Sequence, residues 1–339
     1  MTVLVTGANG FIAQHIVHAL LQQDYQVIGT TRTEDKAKRL LEHFEGNRKL
    51  KFEIVPDFTP LNAFDSVFKK YGKEIDIVLH TAATIPSPRG DSYKKNIALP
   101  TLEGTKNIIN AIRKYGNGTV KHLVVTSTAG SILDFSKMQD SSVTFTEKDW
   151  NPVTLDQADS NPYLAYMAGK KYAELEVWNF AKENICKVTT IHPPFVFGPW
   201  RFDDYAKDGL PPSNQVTESI IHSSAGEPLT FERKSHFADV RDVANVHLLA
   251  FQKESVSGHR LIPNGGKFTP QLVANILNAD FPQLEGKISK GPKPGDSDDD
   301  IGAQFDTTIS DKILNIEYKG LEESIYDTAA QVLRVEGRW

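Results

Sequence analysis

The chain has 339 residues, with 38 Lys and Arg against 43 Asp and Glu for a formal charge of −5, and is 40% hydrophobic and 24% charged. At roughly 150 residues per domain this is one large domain or two, big enough to bury a core without staples, and the charge balance gives no reason to expect a nucleic-acid partner. Its single cysteine, Cys186, excludes an internal disulfide, a multi-cysteine metal site and a Cys-x-x-Cys redox pair, and reads as a small buried apolar residue.

In chain order, short β-rich runs alternate with longer helical patterns: TVLVTG, then FIAQHIVHALLQQ, YQVIGTTR, EDKAKRLLEHF, KFEIVP, a helix around LNAFDSVFKKYG, and IDIVLHTA. Repeated β–α units require a parallel sheet covered by helices on both faces. A helix over about 91–114 leads to VKHLVVTSTAG, and another over about 161–183 leads to KVTTIHPPFVFGP, supplying a fifth and a sixth strand. The fold class is therefore α/β, a Rossmann-type doubly wound parallel sheet, expected over residues 1–198.

After Gly198 the alternation stops in WRFDDYAKDGLPPSNQ, an irregular loop rich in Pro, Gly and Asp. Beyond it DVRDVANVHLLAFQ, TPQLVANILNADFP and LEESIYDTAAQVLRVEG are helical and HRLIP is strand-like. These pieces are too short for an independent core. Residues 199–339 are expected to form mainly a smaller substrate-binding lobe, with some segments returning to the first domain. Asp296, Asp298, Asp299 and Asp300 resemble a calcium loop, but Ile301 stands where the turn glycine belongs and Thr307 where a bidentate Glu belongs. The run reads as a solvated loop, and no metal site is expected.

Between the first strand and the first helix, TGANGFIA places Gly7, Gly10 and Ala13 at Gly-x-x-Gly-x-x-Ala spacing. Gly7 lets the chain turn off the strand, Gly10 lets a pyrophosphate approach the backbone N–H groups, and Ala13 lets the helix pack close to the sheet. Asn9 and Ala8 complete the loop, and the helix amino terminus supplies donors and positive potential for phosphate. The second strand ends without the acidic side chain that would bind the 2′-hydroxyl of NAD. Arg32 follows instead, with Lys36 one turn later, and two cations there suit the 2′-phosphate of NADP. Asp57 and Phe58, after the third strand, are placed to flank the adenine.

In NPYLAYMAGKKYAE, Tyr166 and Lys170 are spaced i, i+4 and share one helix face. A Lys ammonium beneath a tyrosine stabilises the phenolate, and is expected to lower the phenol pKa from about 10 toward neutrality so that the hydroxyl can pass a proton to a carbonyl oxygen. Tyr163 and Tyr172 carry no lysine at that offset. The preceding strand ends in VVTSTAG, placing the hydroxyls of Ser127 and Thr128 at the carboxyl edge of the sheet, where ligands of open α/β sheets bind.

These residues resemble the extended short-chain dehydrogenase/reductase superfamily over nearly the whole chain, since LPTLEGTKNIINA, HPPFVFGP and FADVRDVANVHLLAF also match family segments in order. More closely, GANGFIAQHIV, the Arg32/Lys36 pair, VPDF, IVLHTA, FGP, AFQK and the final EGR look like its NADPH-dependent methylglyoxal (3-methylbutanal) reductases, grouped with dihydroflavonol and cinnamoyl-CoA reductases. The resemblance implies Tyr166 as proton donor and Lys170 as the group that lowers its pKa and binds the nicotinamide ribose. It places the family's catalytic serine at Thr128, with Ser127 one position before, so either hydroxyl is a candidate for holding the carbonyl. It also implies cofactor contacts from the Gly7–Ile12 loop with Phe11, and from Arg32, Lys36, Asp57, Phe58, Thr81, Ala82, Pro193, Val196 and Ser213. His192 replaces the family's usual Asn and is expected to be structural.

The expected activity is an NADPH-dependent carbonyl reductase acting on small aldehydes, α-dicarbonyls and hydrophobic ketones, with Ile85, Phe135, Tyr163, Phe195 and Trp200 as expected pocket walls. An epimerase or dehydratase retaining NAD would leave Arg32 and Lys36 without a 2′-phosphate, and a non-catalytic NADP sensor would have no use for a tuned phenol. No apolar run approaches the ~18 residues that cross a bilayer, and MTVLVTGANG shows no basic region with a cleavage site. A cytoplasmic monomer or homodimer with a small-molecule substrate is expected, without nucleic-acid or membrane partners.

Overall fold

The computed structural model describes residues 1–86, 90–291 and 302–339. Its first half runs β1 (Thr2–Thr6), α1 (Phe11–Gln22), β2 (Gln26–Thr31), α2 (Glu34–His43), β3 (Leu50–Ile54), α3 (Asp65–Tyr71), β4 (Ile75–His80), α4 (Leu99–Ala111), β5 (His122–Thr126), β6 (Thr144–Phe145), α5 (Pro162–Ala181) and β7 (Lys187–Ile191). It continues through β8 (Phe195–Phe197), α6 (Asp203–Ala206), α7 (Gln215–Ile221), β9 (Ser235–Asp239), α8 (Val240–Gln252), β10 (Arg260–Leu261), β11 (Gly266–Phe268), α9 (Pro270–Asp280), β12 (Gln304–Phe305), α10 (Thr308–Leu314) and α11 (Leu321–Val335). A single π-helical turn flanks α4 on each side, Lys94–Ala98 before it and Ile112–Gly116 after it.

The central sheet has the order β3-β2-β1-β4-β5-β7-β10, with every adjacent pair parallel. The winding reverses between β1 and β4, which opens a crevice at the carboxyl ends of the strands. Because both faces are covered, these strands read as continuous apolar runs and not as alternating ones. Val3 and Val5 of β1 pack with Ile16, Val17 and Leu20 of α1 and with Val246 and Leu248 of α8. Leu4, between them, faces the opposite layer with Phe68, Ile108, Ile112 and Val177 of the α3, α4 and α5 side.

KVTTIHPPFVFGP does not form one strand. β7 ends at Ile191, and β8 joins a separate three-stranded sheet, parallel to β9, which pairs antiparallel with β11. Pro193 and Pro194 carry no N–H, so the ladder cannot run through them. Residues beyond 198 come back twice, with α8 packed on the face of α1 and β10 paired to β7. The remainder acquires a core of its own, contrary to expectation, because elements far apart in sequence pool a few apolar residues each. Phe197, Phe237, Phe268, Ile220, Leu277 and Leu333 meet there, fully buried or nearly so. Asp296, Asp298, Asp299, Asp300 and Ile301 lie outside the described residues. Thr307 is described, and its hydroxyl bonds Asp311 Oδ2 at 2.7 Å.

The helix carrying Tyr166 and Lys170 is held close to its neighbour by Gly169, where an added Cβ would lie 2.9 Å from both Cα and O of Ala98. Backbone cannot yield as a side chain can, so Gly169→Ala is expected to cost about 1–3 kcal/mol through overpacking. A denaturant midpoint unchanged from wild type would show that the helices separate freely.

Candidate active site

The turn after β1 has the geometry that a dinucleotide pyrophosphate requires. Gly7 sits at φ +67°, and a Cβ on it would stand 3.1 Å from Ala82 Cα. Its N–H donates to Thr30 Oγ1 at 3.1 Å, and Gly10 N–H donates back to Gly7 O at 2.9 Å. Helix α1 then opens without a side-chain cap and without an acidic residue in its first turn, leaving donors and positive potential facing the crevice. Ala8 and Ala13 are buried, Gln14 Nε2 holds Asn9 O at 3.0 Å, and Ile12 and Phe11 pack toward Val196. Opposite the turn, the N–H groups of Thr81 and Ala82 donate to Thr6 Oγ1 at 3.1 and 3.2 Å, which fixes the exit of β4.

Arg32 and Lys36 are exposed at the end of β2 and the start of α2. Neither has a carboxylate partner among the described residues. Arg39, further along α2, is fully engaged: it bonds Asp204 at 2.7 Å and Asp208 at 2.8 Å and lies 3.9 Å above the Tyr205 ring. Asp57 is exposed and accepts from Thr59 N–H at 2.8 Å. The Phe58 ring is buried so tightly that a Cβ on Gly104 would stand 2.0 Å from it. What Phe58 can offer an adenine is therefore backbone, since its ring belongs to the core.

Asn161 caps α5, its Oδ1 accepting from Tyr163 N–H at 3.0 Å and Leu164 N–H at 2.9 Å, and Pro162 suits the first helical position. The helix presents Tyr166, Lys170 and Glu174 one turn apart on one face. Thr128 caps the short turn Ala129–Ser131, its Oγ1 accepting from Gly130 N–H at 3.2 Å, and its hydroxyl lies close enough to the Tyr166 phenol to lower that group's pKa. Lys170 Nζ donates to Thr126 O at 2.8 Å, and burial lowers its pKa to about 8, opposed by the Glu174 charge. Burial raises the Tyr166 pKa above the usual phenol value, and the Thr128 hydroxyl opposes that rise. The expected lowering of this pKa by Lys170 is not found here, because the ammonium is turned onto a backbone carbonyl of β5.

Ser127, the second candidate hydroxyl, is buried and donates to Glu174 Oε2 at 2.7 Å. His192 is fully buried with Nε2 2.8 Å from Glu174 Oε1. Glu174 also accepts from Ser131 Oγ at 2.9 Å and from Arg260 Nε of β10 at 2.7 Å. Sequence reasoning missed Glu174 and Arg260. The signal for Glu174 was present, since it stands four residues after Lys170 and eight after Tyr166.

The five expected wall residues stand in different settings. Ile85, Phe135 and Tyr163 are exposed apolar residues leaving the carboxyl edge, and Arg233 lies 4.1 Å above the Tyr163 ring. Phe195 belongs to the aromatic cluster of the second sheet, 5.1 Å from Phe268. Trp200 packs edge-on against Phe11 at 5.2 Å and donates to Gly209 O at 3.0 Å, so it stands on the side of the phosphate turn. Pro193 O accepts from Ala129 N–H at 2.9 Å, and Ser213 Oγ donates to Val196 O at 2.6 Å. A cleft at the opposite, amino edge, lined by Trp178, Cys186, Lys187 and Glu254, holds none of these groups. Cys186 there is only half-buried, and burial raises its pKa to about 12. Among the described residues no helix is long and apolar enough to cross a membrane.

The NAD dependent epimerase/dehydratase family model matches residues 3–262. The chain is 46% identical to an uncharacterized oxidoreductase of Saccharomyces cerevisiae, with 99% of each covered, and 44% identical to the NADPH-dependent methylglyoxal reductase GRE2 of the same yeast, with 100% of each covered. The crystal structure of yeast methylglyoxal/isovaleraldehyde reductase Gre2 complexed with NADPH superposes with a TM-score of 0.96 at 43% identity over 100% of both chains.

Proposed function

The chain belongs to the NAD dependent epimerase/dehydratase family, and from that membership and the geometry above we propose an NADPH-dependent reductase of methylglyoxal- and isovaleraldehyde-like carbonyls, with Tyr166 as proton donor. The chain is an oxidoreductase that uses NADPH. One observation carries the chemical assignment: the Tyr166 phenol is buried beside the Thr128 hydroxyl at the carboxyl edge of the sheet, one helical turn from Lys170, whose Nζ is held on Thr126 O at 2.8 Å. We read residues 1–198 as the cofactor domain and most of 199–339 as the substrate lobe.

The cofactor fits the residues present. Gly7 leaves a cradle that a side chain would fill, α1 begins with free donors, and Arg32 and Lys36 stand ready for a 2′-phosphate. When bound, NADPH supplies the hydride that the carbonyl carbon receives. The chain's own residues handle the oxygen. Thr128 Oγ1 and the Tyr166 hydroxyl together orient it, and Tyr166 gives up its proton as the alcohol forms. A raised pKa keeps the phenol protonated at neutral pH, the form a donor needs, and the neighbouring Thr128 hydroxyl, which lowers the phenol pKa, favours the phenolate left behind. Lys170, with a pKa of about 8, is mainly an ammonium at pH 7 and can bond the cofactor ribose and the proton path. Ser127, committed to Glu174, is left to support this edge.

Loss of NADPH absorbance with methylglyoxal and isovaleraldehyde in parallel, repeated with NADH, tests the reading. Turnover is expected with NADPH and far less with NADH. Because the ammonium form of Lys170 is the competent one, kcat is expected to fall as pH rises through about 8. Tight NADPH binding with no turnover on either aldehyde would overturn the reductase assignment.

A further inference from the structure

Glu174 is an acid buried beneath the reacting groups without touching them. Six donors from four separate parts of the fold converge on its two oxygens, Thr190 Oγ1 of β7 being the most distant at 3.4 Å from Oε1. Ser127 Oγ at 2.7 Å and Ser131 Oγ at 2.9 Å reach Oε2, while His192 Nε2 at 2.8 Å, Arg260 Nε at 2.7 Å and Trp178 Nε1 at 3.2 Å reach Oε1. Arg260 is anchored in turn by Asp149 O at 2.7 Å and by the Trp150 ring, 3.9 Å away. The two serines bracket Thr128 in sequence, and Ser131 Oγ also lies 2.8 Å from Thr128 O. Each hydroxyl has one proton: that of Ser127 goes to Glu174 Oε2, and that of Ser131 is shared between Glu174 Oε2 and Thr128 O, which ties the turn to the carboxylate.

We propose that Glu174 is a positioning residue of the reductive step: by holding Ser127 and Ser131 on either side of Thr128, it fixes the hydroxyl that receives the substrate carbonyl. The proposal rests on the reductase reading. A buried network that converges on one carboxylate narrows the geometries open to its members, and it acts on this turn together with Asn151, whose Nδ2 donates to Gly130 O at 2.8 Å. The Glu174 charge has a second effect, since it counters the burial that depresses the Lys170 pKa. The other titratable groups facing Lys170 are Tyr166 on its own helix, and His80 on β4 and His247 on α8. Burial holds the two histidines at about 3 and about 4, so both are neutral over the working range. Those facing Glu174 are His192 and Arg260, in addition to Lys170.

Glu174→Gln puts an amide N–H₂ among donors. Its kcat for aldehyde reduction is expected to fall about 10–100-fold, the size of a lost hydrogen bond to a charged group, with NADPH affinity changed by no more than about twofold. Its alkaline limb is expected at lower pH than in wild type. Ser127→Ala is expected to lower kcat less, and the double variant to be no worse than Glu174→Gln alone, because both act through the same bond. Glu174→Asp should recover part of the activity. Wild-type kcat in Glu174→Gln, or losses that add in the double variant, would overturn the proposal. Should Glu174→Gln fail to fold, Ser127→Ala with Ser131→Ala carries the same test, with a kcat loss at unchanged NADPH affinity expected and wild-type kcat overturning it. Full turnover in Tyr166→Phe would refute the reading of the site itself, whatever Glu174 does.

Discussion

Tyr166→Phe is expected to lower kcat for aldehyde reduction by about 10²–10⁴-fold, the usual contribution of a positioned acid, while NADPH still binds. The phenol ring is retained, so packing against Val153, Ala165 and the rest of that cluster survives. What disappears is the proton and the hydroxyl that stands beside Thr128. Cofactor affinity, read by fluorescence titration, should barely move, because the cradle of Gly7 and the Arg32/Lys36 pair stand on other elements. Near-normal kcat would remove Tyr166 from the mechanism and leave water as the proton source. Thr128 would then be the group to test next.

The second large effect is expected from Arg32→Glu. It replaces a cation that has no carboxylate partner among the described residues with an anion at the place where a 2′-phosphate would lie. A charge-assisted hydrogen bond is worth about 1.5–3 kcal/mol, which makes the expected rise in KM for NADPH at least 10–100-fold. KM for NADH should change little. The side chain is exposed and the helix is capped by Thr33, whose Oγ1 accepts from Lys36 N–H at 3.4 Å, so stability should stay within about 0.5 kcal/mol. Equal changes in both KM values would refute the phosphate assignment.

The β–α alternation, the phosphate turn and the Tyr166/Lys170 pair are legible in the chain because each is local. A strand, a turn and a helix succeed one another within a few residues, and a spacing of four places two side chains on one helix face whatever surrounds them. The choice between Ser127 and Thr128 was not legible. Adjacent residues on an extended segment point opposite ways, and only the position of Glu174 across the layer shows which hydroxyl faces inward. Arg260 was invisible for the same reason: it lies 86 residues from Glu174 in the chain.

By itself the sequence determined the fold class, the family resemblance and the residue types available for hydride-coupled proton transfer, since hydrophobic periodicity and short-range spacing are read along the chain. Tertiary structure alone decided that HPPF breaks the sixth strand and starts a second sheet, that Phe195 meets Phe268 while Trp200 meets Phe11, and that the Tyr166 phenol is buried, which raises its pKa. These depend on burial and on partners brought together from distant segments, and desolvation and long-range hydrogen bonds exist only once the chain has folded.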